Sequence, residues 1–306
     1  MAENHAVYCV KRNEAAFPGR LREVSPAVKQ LYWIGKLPPE GPACAIVGAR
    51  SCSAYGRGQA MALAKYLASR GVIIISGLAA GIDGYAHEGA LAAHGETYAV
   101  MGCGPDRCYP RSNIGLYEAI RKTGGILSEY APGTPPLSVQ FPARNRIISG
   151  LCDAVVVVEA RKRSGSLITA DFALEQGKSV FALPGRIGDP VSEGTNALIA
   201  QGAGIVSSYE NVLDEIESIY GCQSAADRKE QTEPAAVLRA HGISPAGQLV
   251  YEAFRSGEVL STDQILDGMD LEVSEAVHAL TELLLEGLVE EVSPGLYLRS
   301  EMSLAT

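Results

Sequence analysis

The feature that most constrains the fold is a pattern that repeats from Ala43 onward: a short apolar run, a glycine-containing turn and a helix-like segment. Six runs have the length of strands, and they are CAIVG (44–48), VIIIS (72–76), TYAVM (97–101), ILSEY (126–130), DAVVVVE (153–159) and SVFAL (179–183). Several are apolar at consecutive positions, which suits strands buried on both faces of a parallel sheet. We therefore predict an α/β fold with a Rossmann-like, doubly wound and mostly parallel sheet.

Helix-like segments fill the gaps between these runs. They are predicted at Gly58–Ser69, Tyr85–Ala93, Ile114–Lys122, Leu167–Gln176 and Asn196–Gln201. Ligands of such sheets bind beyond the carboxyl ends of the strands, at the point where the chain order reverses. The turns that follow the strands are therefore the place to expect a binding site.

The remaining sequence divides the chain into four segments. We predict a short helical lead-in at 1–42, with a helix near Ser25–Leu31, then a Rossmann-like domain at 43–216, a linker at 217–243 and a small domain at 244–300. The small domain has helix-like segments at Pro245–Ser256, Ser261–Asp267 and Ser274–Glu286, followed by the strand-like runs LVEEV and GLYLR. Three helices followed by a hairpin are typical of a winged-helix domain.

Charge is divided unevenly along the chain. Residues 210–306 contain 5 Lys/Arg and 19 Asp/Glu, a balance of -14, whereas residues 1–209 contain 21 Lys/Arg and 16 Asp/Glu, a balance of +5. The first part is suited to a polyanion, and the acidic part should repel one and contact protein instead. The alternative is that the acidic part serves only solubility.

Other sequence patterns limit the class of protein. The N-terminus, MAENHAVYCVKRNE, lacks the basic-then-apolar pattern of a signal peptide, and no run of about 18 apolar residues is present. We expect a cytoplasmic protein with no membrane partner. The seven cysteines form no C-x-x-C pair, which favours free thiols. Paired carboxylates, a Walker lysine and a metal-ligand cluster are not visible, so we expect no catalytic residue, metal or cofactor.

Glycine turns follow the first two strands. Gly48 at the end of the first strand would let backbone N–H groups approach a phosphate, and Arg50 stands where a bound anion would lie. The alternative for Arg50 is a surface arginine paired with a carboxylate. After the second strand, Asp83 is predicted to cap the helix that carries His87, and His87 is predicted to be a structural hydrogen-bonding residue. A Ser/His/Asp hydrolase is disfavoured because Ser76 lacks the G-x-S-x-G elbow.

The stretch from Gln140 to Ala170 combines an aromatic ring, cations and a helix start. Phe141 is a candidate platform for base stacking, with ordinary core packing as the alternative. Arg144 and Arg146 are two residues apart and should point to different faces of a helix. One would face a ligand, and the other would pair internally with Glu129 or Glu159.

The same stretch ends in Ser164-Gly165-Ser166, which is predicted to begin a helix. The first turn of a helix has N–H groups without intrahelical partners, and these groups and the hydroxyls can bind an anion. Helix capping alone also explains the serines.

These turns and their flanks resemble the DNA-processing protein A family (DprA, also called Smf). The similar segments are VGAR (47–50), SGLAAGID (76–83), AHEGAL (86–91), GCGPDRCYP (102–110), SEY (128–130), FPARNRIISGL (141–151), VVVEARKRSGSLITA (156–170), LPG (183–185) and GTNALIAQGA (194–203). The resemblance implies a Rossmann-like protein that binds single-stranded DNA, protects incoming DNA and forms a homodimer. It also implies that the protein helps to load the RecA recombinase during natural transformation.

Carried over to this chain, the resemblance and the turn chemistry give twelve candidate DNA-binding residues. They are Gly48, Arg50, Ser76, Gly77, Phe141, Arg144, Asn145, Arg146, Ser164, Gly165, Ser166 and Thr169. The dimer interface is expected around Leu198 and Ile199.

Two other functions stay open. The first is a nucleotide-binding enzyme or sensor of the phosphoribohydrolase type, whose members carry a PGGxGTxxE motif where this chain has EARKRSGSLITA. The second is a sequence-specific regulator that acts through the winged helix. That function requires a basic recognition helix, and Ser274–Glu286 contains no Lys or Arg.

Overall fold

The structure, a computed structural model, describes residues 6–220, 243–252, 254, 259–261, 264–265, 273–293 and 295–299. The chain divides into two compact units, Met1–Cys222 and Gln223–Thr306.

The first unit is built on a nine-stranded sheet. Its strands are β1 (Tyr8–Lys11), β2 (Gln30–Gly35), β3 (Ala43–Val47), β4 (Ile73–Ser76), β5 (Thr97–Met101), β6 (Gly125–Ser128), β7 (Ala154–Val157), β8 (Ser179–Ala182) and β9 (Gly204–Ile205). The strand order is β1-β2-β6-β5-β4-β3-β7-β8-β9, and the pairings from β6 through β9 are all parallel. The predicted Rossmann-like, mostly parallel α/β fold is confirmed.

Seven helices accompany the described strands of this unit. They are α1 (Ala54–Ala68), α2 (Ile82–Ala92), α3 (Ile114–Thr123), α4 (Gln140–Gly150), α5 (Gly165–Glu175), α6 (Glu193–Ala200) and α7 (Tyr209–Ile219), and two short 3₁₀ turns lie at Gly19–Leu21 and Arg111–Asn113. The predicted first helix begins four residues too late, because the Ser53 side chain accepts a hydrogen bond from the Gly56 N–H and caps α1 upstream. The α7 helix was not predicted, and it extends three residues beyond the predicted domain end at 216.

The predicted parallel strands are correct to within two residues at each end, because the central strands are buried. The central strands β3, β4, β5 and β7 are buried along their whole length. Ile46, Ile75 and Val156 have no exposed surface. Burying each such side chain contributes about 1.5–3 kcal/mol, so the apolar runs have no stable place at the surface.

The predicted helical lead-in is wrong. Its described residues form β1 and β2, which pair antiparallel with each other, and β2 continues the sheet by pairing antiparallel with β6. The sequence QLYWIG of β2 is rich in aromatic and branched residues, which favour a half-buried sheet position over a helix. The described residues of the lead-in, 6–42, therefore contribute two strands to the sheet of the first unit, and no helix forms at Ser25–Leu31.

The chain reverses its direction of travel through the sheet between β3 and β7. From β3 it proceeds through β4 and β5 to β6 on one side, and β7, β8 and β9 follow on the other side. The carboxyl ends of β3 and β7 are adjacent, because Val47 pairs with Val157 in the parallel register. This is the point at which a doubly wound sheet opens a crevice for a ligand.

The second unit contains two described helices and a small sheet. The helices are α8 (Pro245–Glu252) and α9 (Val273–Leu285), and the strands are β10 (Val259–Ser261), β11 (Val289–Ser293) and β12 (Leu296–Arg299). The sheet order is β10-β12-β11, and both pairings are antiparallel. The predicted terminal hairpin is confirmed as β11 and β12. The core of this unit includes Val250, Leu280 and Leu283.

Other predictions for this part of the chain are only partly covered. Ser261 ends β10, whereas a helix was predicted to begin there, and Gln264 and Ile265 are helical. The rest of that predicted helix and most of the predicted linker at 217–243 lie outside the described residues. The winged-helix assignment and the limits of the domain stay predictions.

Two general features of the described residues bear on function. The six cysteines among them are free thiols. In the same part of the chain, we find no helix with the length and apolar character needed to cross a membrane.

Candidate functional site

A cleft of about 280 Å³ opens at the carboxyl ends of β3 and β7, between the start of α4 and the start of α5. Nine of the twelve predicted contact residues line it, and they are Gly48, Arg50, Phe141, Arg144, Asn145, Ser164, Gly165, Ser166 and Thr169. The other lining residues are Val47, Ala79, Asp83, Ser138, Pro142 and Ile148. The folded chain thus brings together turns that lie more than 100 residues apart in sequence.

Arg50 lies exposed at the rim of the cleft. Its Cζ atom is 5.6 Å from the centroid of the Phe141 ring, a distance typical of a cation–π contact. Among the described residues, no carboxylate or carbonyl oxygen accepts a hydrogen bond from its guanidinium group. The alternative of a carboxylate-paired surface arginine is therefore wrong within the described part of the chain. The donors of Arg50 are available to a ligand.

Phe141 lies in a small aromatic group at the first turn of α4. Its ring is 5.4 Å from that of Tyr109, with the ring planes tilted by 37°. The Phe141 ring also covers Gly102, where an added Cβ would approach it to 2.8 Å. Phe141 is half-buried and Tyr109 is 42% exposed, so the pair is not part of the closed core. Aromatic surface at a cleft rim can stack on a nucleic-acid base.

Arg144 forms the floor of the cleft. The guanidinium group is buried and donates hydrogen bonds to the carbonyl oxygens of Gly77, at 2.9 Å, and of Val100. Burial lowers the pKa of Arg144 to about 10, and the Asp83 carboxylate opposes that shift. Arg144 is therefore still charged at neutral pH. Its positive charge lies beneath any ligand in the cleft and is opposed by the neighbouring carboxylate of Asp83.

Asp83 is the second ionisable residue on the floor of the cleft. Its Oδ2 atom accepts a hydrogen bond from the Gly77 N–H at 3.2 Å. Burial raises the pKa of the carboxyl group, and the Arg144 guanidinium opposes that rise. The prediction that Asp83 caps α2 is wrong, because Gly81 occupies the N-cap position and Asp83 lies in the first turn. The carboxylate instead turns back to the backbone after β4.

His87 is a structural residue, as predicted. Its Nδ1 atom is 2.7 Å from Thr97 Oγ1, and Thr97 donates its hydroxyl proton to the carbonyl oxygen of Ile74 at 2.8 Å. Nδ1 must therefore be the protonated nitrogen of the ring. Burial lowers the pKa of His87 to about 3, so the imidazole is neutral at physiological pH.

The start of α5 forms the second wall of the cleft. Ser164 is the N-cap residue, its hydroxyl oxygen accepts from the Ser166 N–H, and the two hydroxyl oxygens lie 2.8 Å apart. Asn145 links this wall to the floor, since its Nδ2 donates to the carbonyl oxygen of Gly165 at 3.1 Å and its Oδ1 accepts from Arg144 Nε at 3.2 Å. Helix capping is confirmed. The other N–H groups of the first turn favour an anion at the same place.

Three predicted contact residues lie outside the lining of the cleft. Ser76 is fully buried, and its hydroxyl donates to the carbonyl oxygen of Ile46 at 2.6 Å. Gly77 lies beneath the Arg144 guanidinium. Arg146 donates to both oxygens of Glu129 at 2.8 Å, which confirms the predicted division of the two arginines. Ser76, Gly77 and Arg146 thus support the cleft walls instead of facing the cavity.

The two residues expected at a dimer interface pack against the core of their own chain. Leu198, on α6, is 6% exposed and packs in the core of its own chain, and Ile199 packs partly against that core.

Burial raises the pKa of Cys103 to about 11, so this thiol is protonated at neutral pH and is a poor nucleophile. Within the described residues, no three His, Cys, Asp or Glu side chains are grouped as metal ligands.

Sequence reasoning missed the aromatic contact of Tyr109 with Phe141 and the lining residues Ser138 and Ile148. Tyr109 follows the glycine turn after β5, at the same edge of the sheet as the predicted site, so its position carried a signal. Ser138 and Ile148 carried none, because their part in the cleft depends on how α4 packs.

Comparisons with known proteins identify the family of this chain. The sequence model of the family described as DNA recombination-mediator protein A matches residues 8–217. Protein Smf of Escherichia coli strain K12 is 43% identical over 262 residues, which cover 83% of this chain and 67% of that protein. DNA processing protein DprA of Streptococcus pneumoniae is 46% identical over 202 residues, which cover 66% of this chain and 71% of that protein.

Solved structures of DNA processing protein A also match this chain. The X-ray structure of DprA from S. pneumoniae matches with a TM-score of 0.63 and 41% identity, over 69% of this chain and 74% of that one. DNA processing protein A from Helicobacter pylori, which was solved for its single-stranded DNA binding mode, matches with a TM-score of 0.62 and 30% identity, over 71% of this chain and 97% of that one. Because the family match spans more than half of the sequence, the chain belongs to the DNA recombination-mediator protein A family.

Proposed function

We propose that this protein binds single-stranded DNA in the cleft and acts as a recombination mediator. It protects incoming single strands and helps to load the RecA recombinase during natural transformation. It does so as a homodimer in the cytoplasm, and it catalyses no covalent step. The single-stranded DNA binding mode of the H. pylori relative supports this proposal.

The observation that carries the proposal is the contact between Arg50 and Phe141. A cation without an acceptor among the described residues lies 5.6 Å from an aromatic ring at the mouth of a cleft. A nucleotide offers a base face to the ring and a phosphate to the cation. Stacking of one base on an aromatic side chain contributes about 1–3 kcal/mol, whatever the base.

The floor and the wall of the cleft suit the same ligand. Arg144 adds a buried positive charge, and the start of α5 adds backbone N–H groups that favour an anion. These groups recognise phosphates and base faces, and neither reports the identity of a base. Binding is therefore expected to be nearly independent of sequence and sensitive to salt.

The titratable groups near the cleft favour a binding role over an enzymatic one. His87 is buried and neutral, and the Cys103 thiol is protonated at neutral pH. Asp83 is held by Arg144 and by the backbone after β4. None of these three groups is poised as a base or a nucleophile toward the cleft.

The test is fluorescence anisotropy with a labelled single strand of about 30 nucleotides and a matched duplex, at two salt concentrations. We expect preference for the single strand, weaker binding at the higher salt and loss of binding in Arg50→Ala. Arg70→Ala is the matched control, because Arg70 also lies over an aromatic ring, that of Tyr66, but follows the carboxyl-terminal end of α1 and does not line the cleft. Equal affinity of wild type and Arg50→Ala would refute the assignment of the cleft.

Two further outcomes separate the parts of the proposal. Absence of binding to either DNA, together with thermal protection by a free nucleotide, would favour the nucleotide enzyme or sensor. The mediator role is tested by following RecA assembly on strands bound by the single-strand-binding protein. If the chain binds DNA but leaves that assembly unchanged, the binding role holds and the mediator role fails.

A further inference from the structure

We propose that Arg161, Lys162, Arg163 and Arg186 form a second phosphate-binding surface, here called the basic track, which extends the cleft across the ends of β7 and β8. Its ligand is the sugar–phosphate backbone of the same single strand, beyond the nucleotides held in the cleft. This inference rests on the proposed binding of single-stranded DNA.

The placement of the basic track follows from the sheet. β7 and β8 are parallel neighbours with Val157 paired to Ala182, so the loops after them emerge at the same edge. Arg163 directly precedes Ser164, which lines the cleft, and Arg186 lies in the loop after β8. Neighbouring strands are about 4.8 Å apart. The track thus begins at the cleft and continues on the side opposite to Arg50.

The backbone beneath the track is fixed. The Ala160 N–H donates to Val191 O and the Gly194 N–H donates to Ala160 O, both at 2.7 Å. A Cβ atom on Gly194 would lie 2.7 Å from Ala160 O and 2.8 Å from Arg161 O, so only glycine permits this approach. The loop after β7 is therefore ordered by the start of α6 before any ligand binds.

The loop after β8 is fixed in the same way. The side chain of Asn196 accepts from the Gly185 N–H and donates to the Gly185 carbonyl oxygen, each at 3.1 Å. Because both loops are attached to the same turn of α6, the backbone positions that carry the cations keep a constant spacing. Loops with a fixed backbone bind a polyanion with little loss of backbone entropy.

The four side chains of the basic track are exposed to solvent. Within the described residues, none of them takes part in a hydrogen bond or an ion pair. The arginines that stabilise the fold differ in this respect, since Arg20 donates to the carbonyl oxygens of Leu151 and Gly41. The cations of the track therefore have no structural partner in the described fold to explain their presence.

The carboxylates near the track do not cancel its charge. Glu159 is buried, and it accepts from the N–H and the hydroxyl of Ser53. Asp189 accepts from the Val191 N–H at 3.2 Å, and Glu193 is exposed. Counting Asp189 and Glu193 as fully charged still leaves four cations against two anions. A phosphate chain is the ligand that such a surface favours.

The proposal predicts a dependence on the length of the strand. A strand of about 5 nucleotides should be held by the cleft alone, whereas one of about 30 nucleotides should also reach the track. Each phosphate that a cation neutralises adds about 0.7 to the steepness of the salt dependence for single strands. The track should therefore steepen the salt dependence for the long strand only.

The experiment compares wild type with the triple variant R161Q/K162Q/R163Q, using both strand lengths over a series of salt concentrations. For the long strand we expect at least a tenfold loss of affinity at low salt and a salt slope that is less steep by about 2. For the short strand, measured by competition, we expect no change. R186Q should give a smaller effect of the same kind.

The control is the variant K65Q/R70Q/K122Q, which removes the same charge from exposed positions near the carboxyl-terminal ends of α1 and α3. It should bind both strands like wild type apart from a small change in overall charge. A triple variant at the track that binds the long strand as wild type does would overturn the track alone. Equal losses for both strands would also overturn it, because the loop would then only support the cleft. Wild type that binds neither strand would overturn the proposed function instead.

Discussion

The guanidinium group of Arg144 occupies the space that a side chain on Gly77 would fill. A Cβ atom at Gly77 would lie 2.5 Å from Nη2 of Arg144 and 2.7 Å from Oδ2 of Asp83. Gly77→Ala should therefore displace the buried charge pair, weaken single-strand binding and lower the free energy of unfolding by about 1–3 kcal/mol. Urea denaturation and anisotropy measure the two effects. Unchanged stability and affinity would mean that the pair moves aside without cost.

Arg146 should be needed for stability and not for contact with DNA. Its guanidinium donates to both oxygens of Glu129 and to the carbonyl oxygen of Pro26. Arg146→Met leaves Glu129 without its partner, and we expect the free energy of unfolding to fall by about 3 kcal/mol. Affinity for DNA and its salt slope, measured well below the unfolding transition, should stay those of wild type. A stable Arg146→Met protein that has lost binding would instead make Arg146 a contact residue.

Phe141 should contribute through its aromatic face. Phe141→Leu keeps an apolar side chain against Gly102 but removes the ring that lies beside Arg50 and Tyr109. We expect affinity for a single strand to fall about tenfold, within the range of about 1–3 kcal/mol for stacking of one base. Phe141→Tyr keeps the ring and should bind like wild type. If Phe141→Leu binds the strand as tightly as Phe141→Tyr does, base stacking on this residue does not contribute to the affinity.

His87 should make the protein sensitive to acid. Burial lowers its pKa to about 3 in the folded state, against a value of about 6.5 in the unfolded chain. Between these values the unfolded chain binds more protons, so the stability from the neutral imidazole is complete above about pH 6.5 and is lost as the pH falls toward 3. The slope from this one group reaches about 1.4 kcal/mol per pH unit.

His87→Gln tests this origin of the acid sensitivity. The variant should have a shallower fall in the free energy of unfolding between pH 6.5 and pH 4 than wild type, whatever its stability at pH 7. Urea denaturation across that range gives the difference. Parallel curves for the two proteins would assign the acid sensitivity to other groups, such as the carboxylates.

The sequence specified the parallel strands well because their burial is encoded locally. A run such as Ala154–Val157 is apolar at every position and can be stable only between two layers of helices. The lead-in was misjudged for the complementary reason. Gln30–Gly35 contains an apolar run of the same length, LYWI, but only Leu31 and Ile34 in it are buried, and its place in the sheet is set by pairing with β6, about 90 residues later in the chain.

The two arginines on α4 show what the sequence decides about a site and what it leaves open. Their spacing of two residues alone required that Arg144 and Arg146 point to different faces, and the glycine turns alone predicted a candidate binding site at the carboxyl edge of the sheet. Only the tertiary structure decided that Arg146 pairs with Glu129 while Arg144 lies beneath the cleft. It also decided that Arg50, from the turn after β3, lies over Phe141 on α4. Spacing along a helix fixes relative direction, but which partner stands in each direction depends on packing between segments that are distant in sequence, and that packing has no local signature.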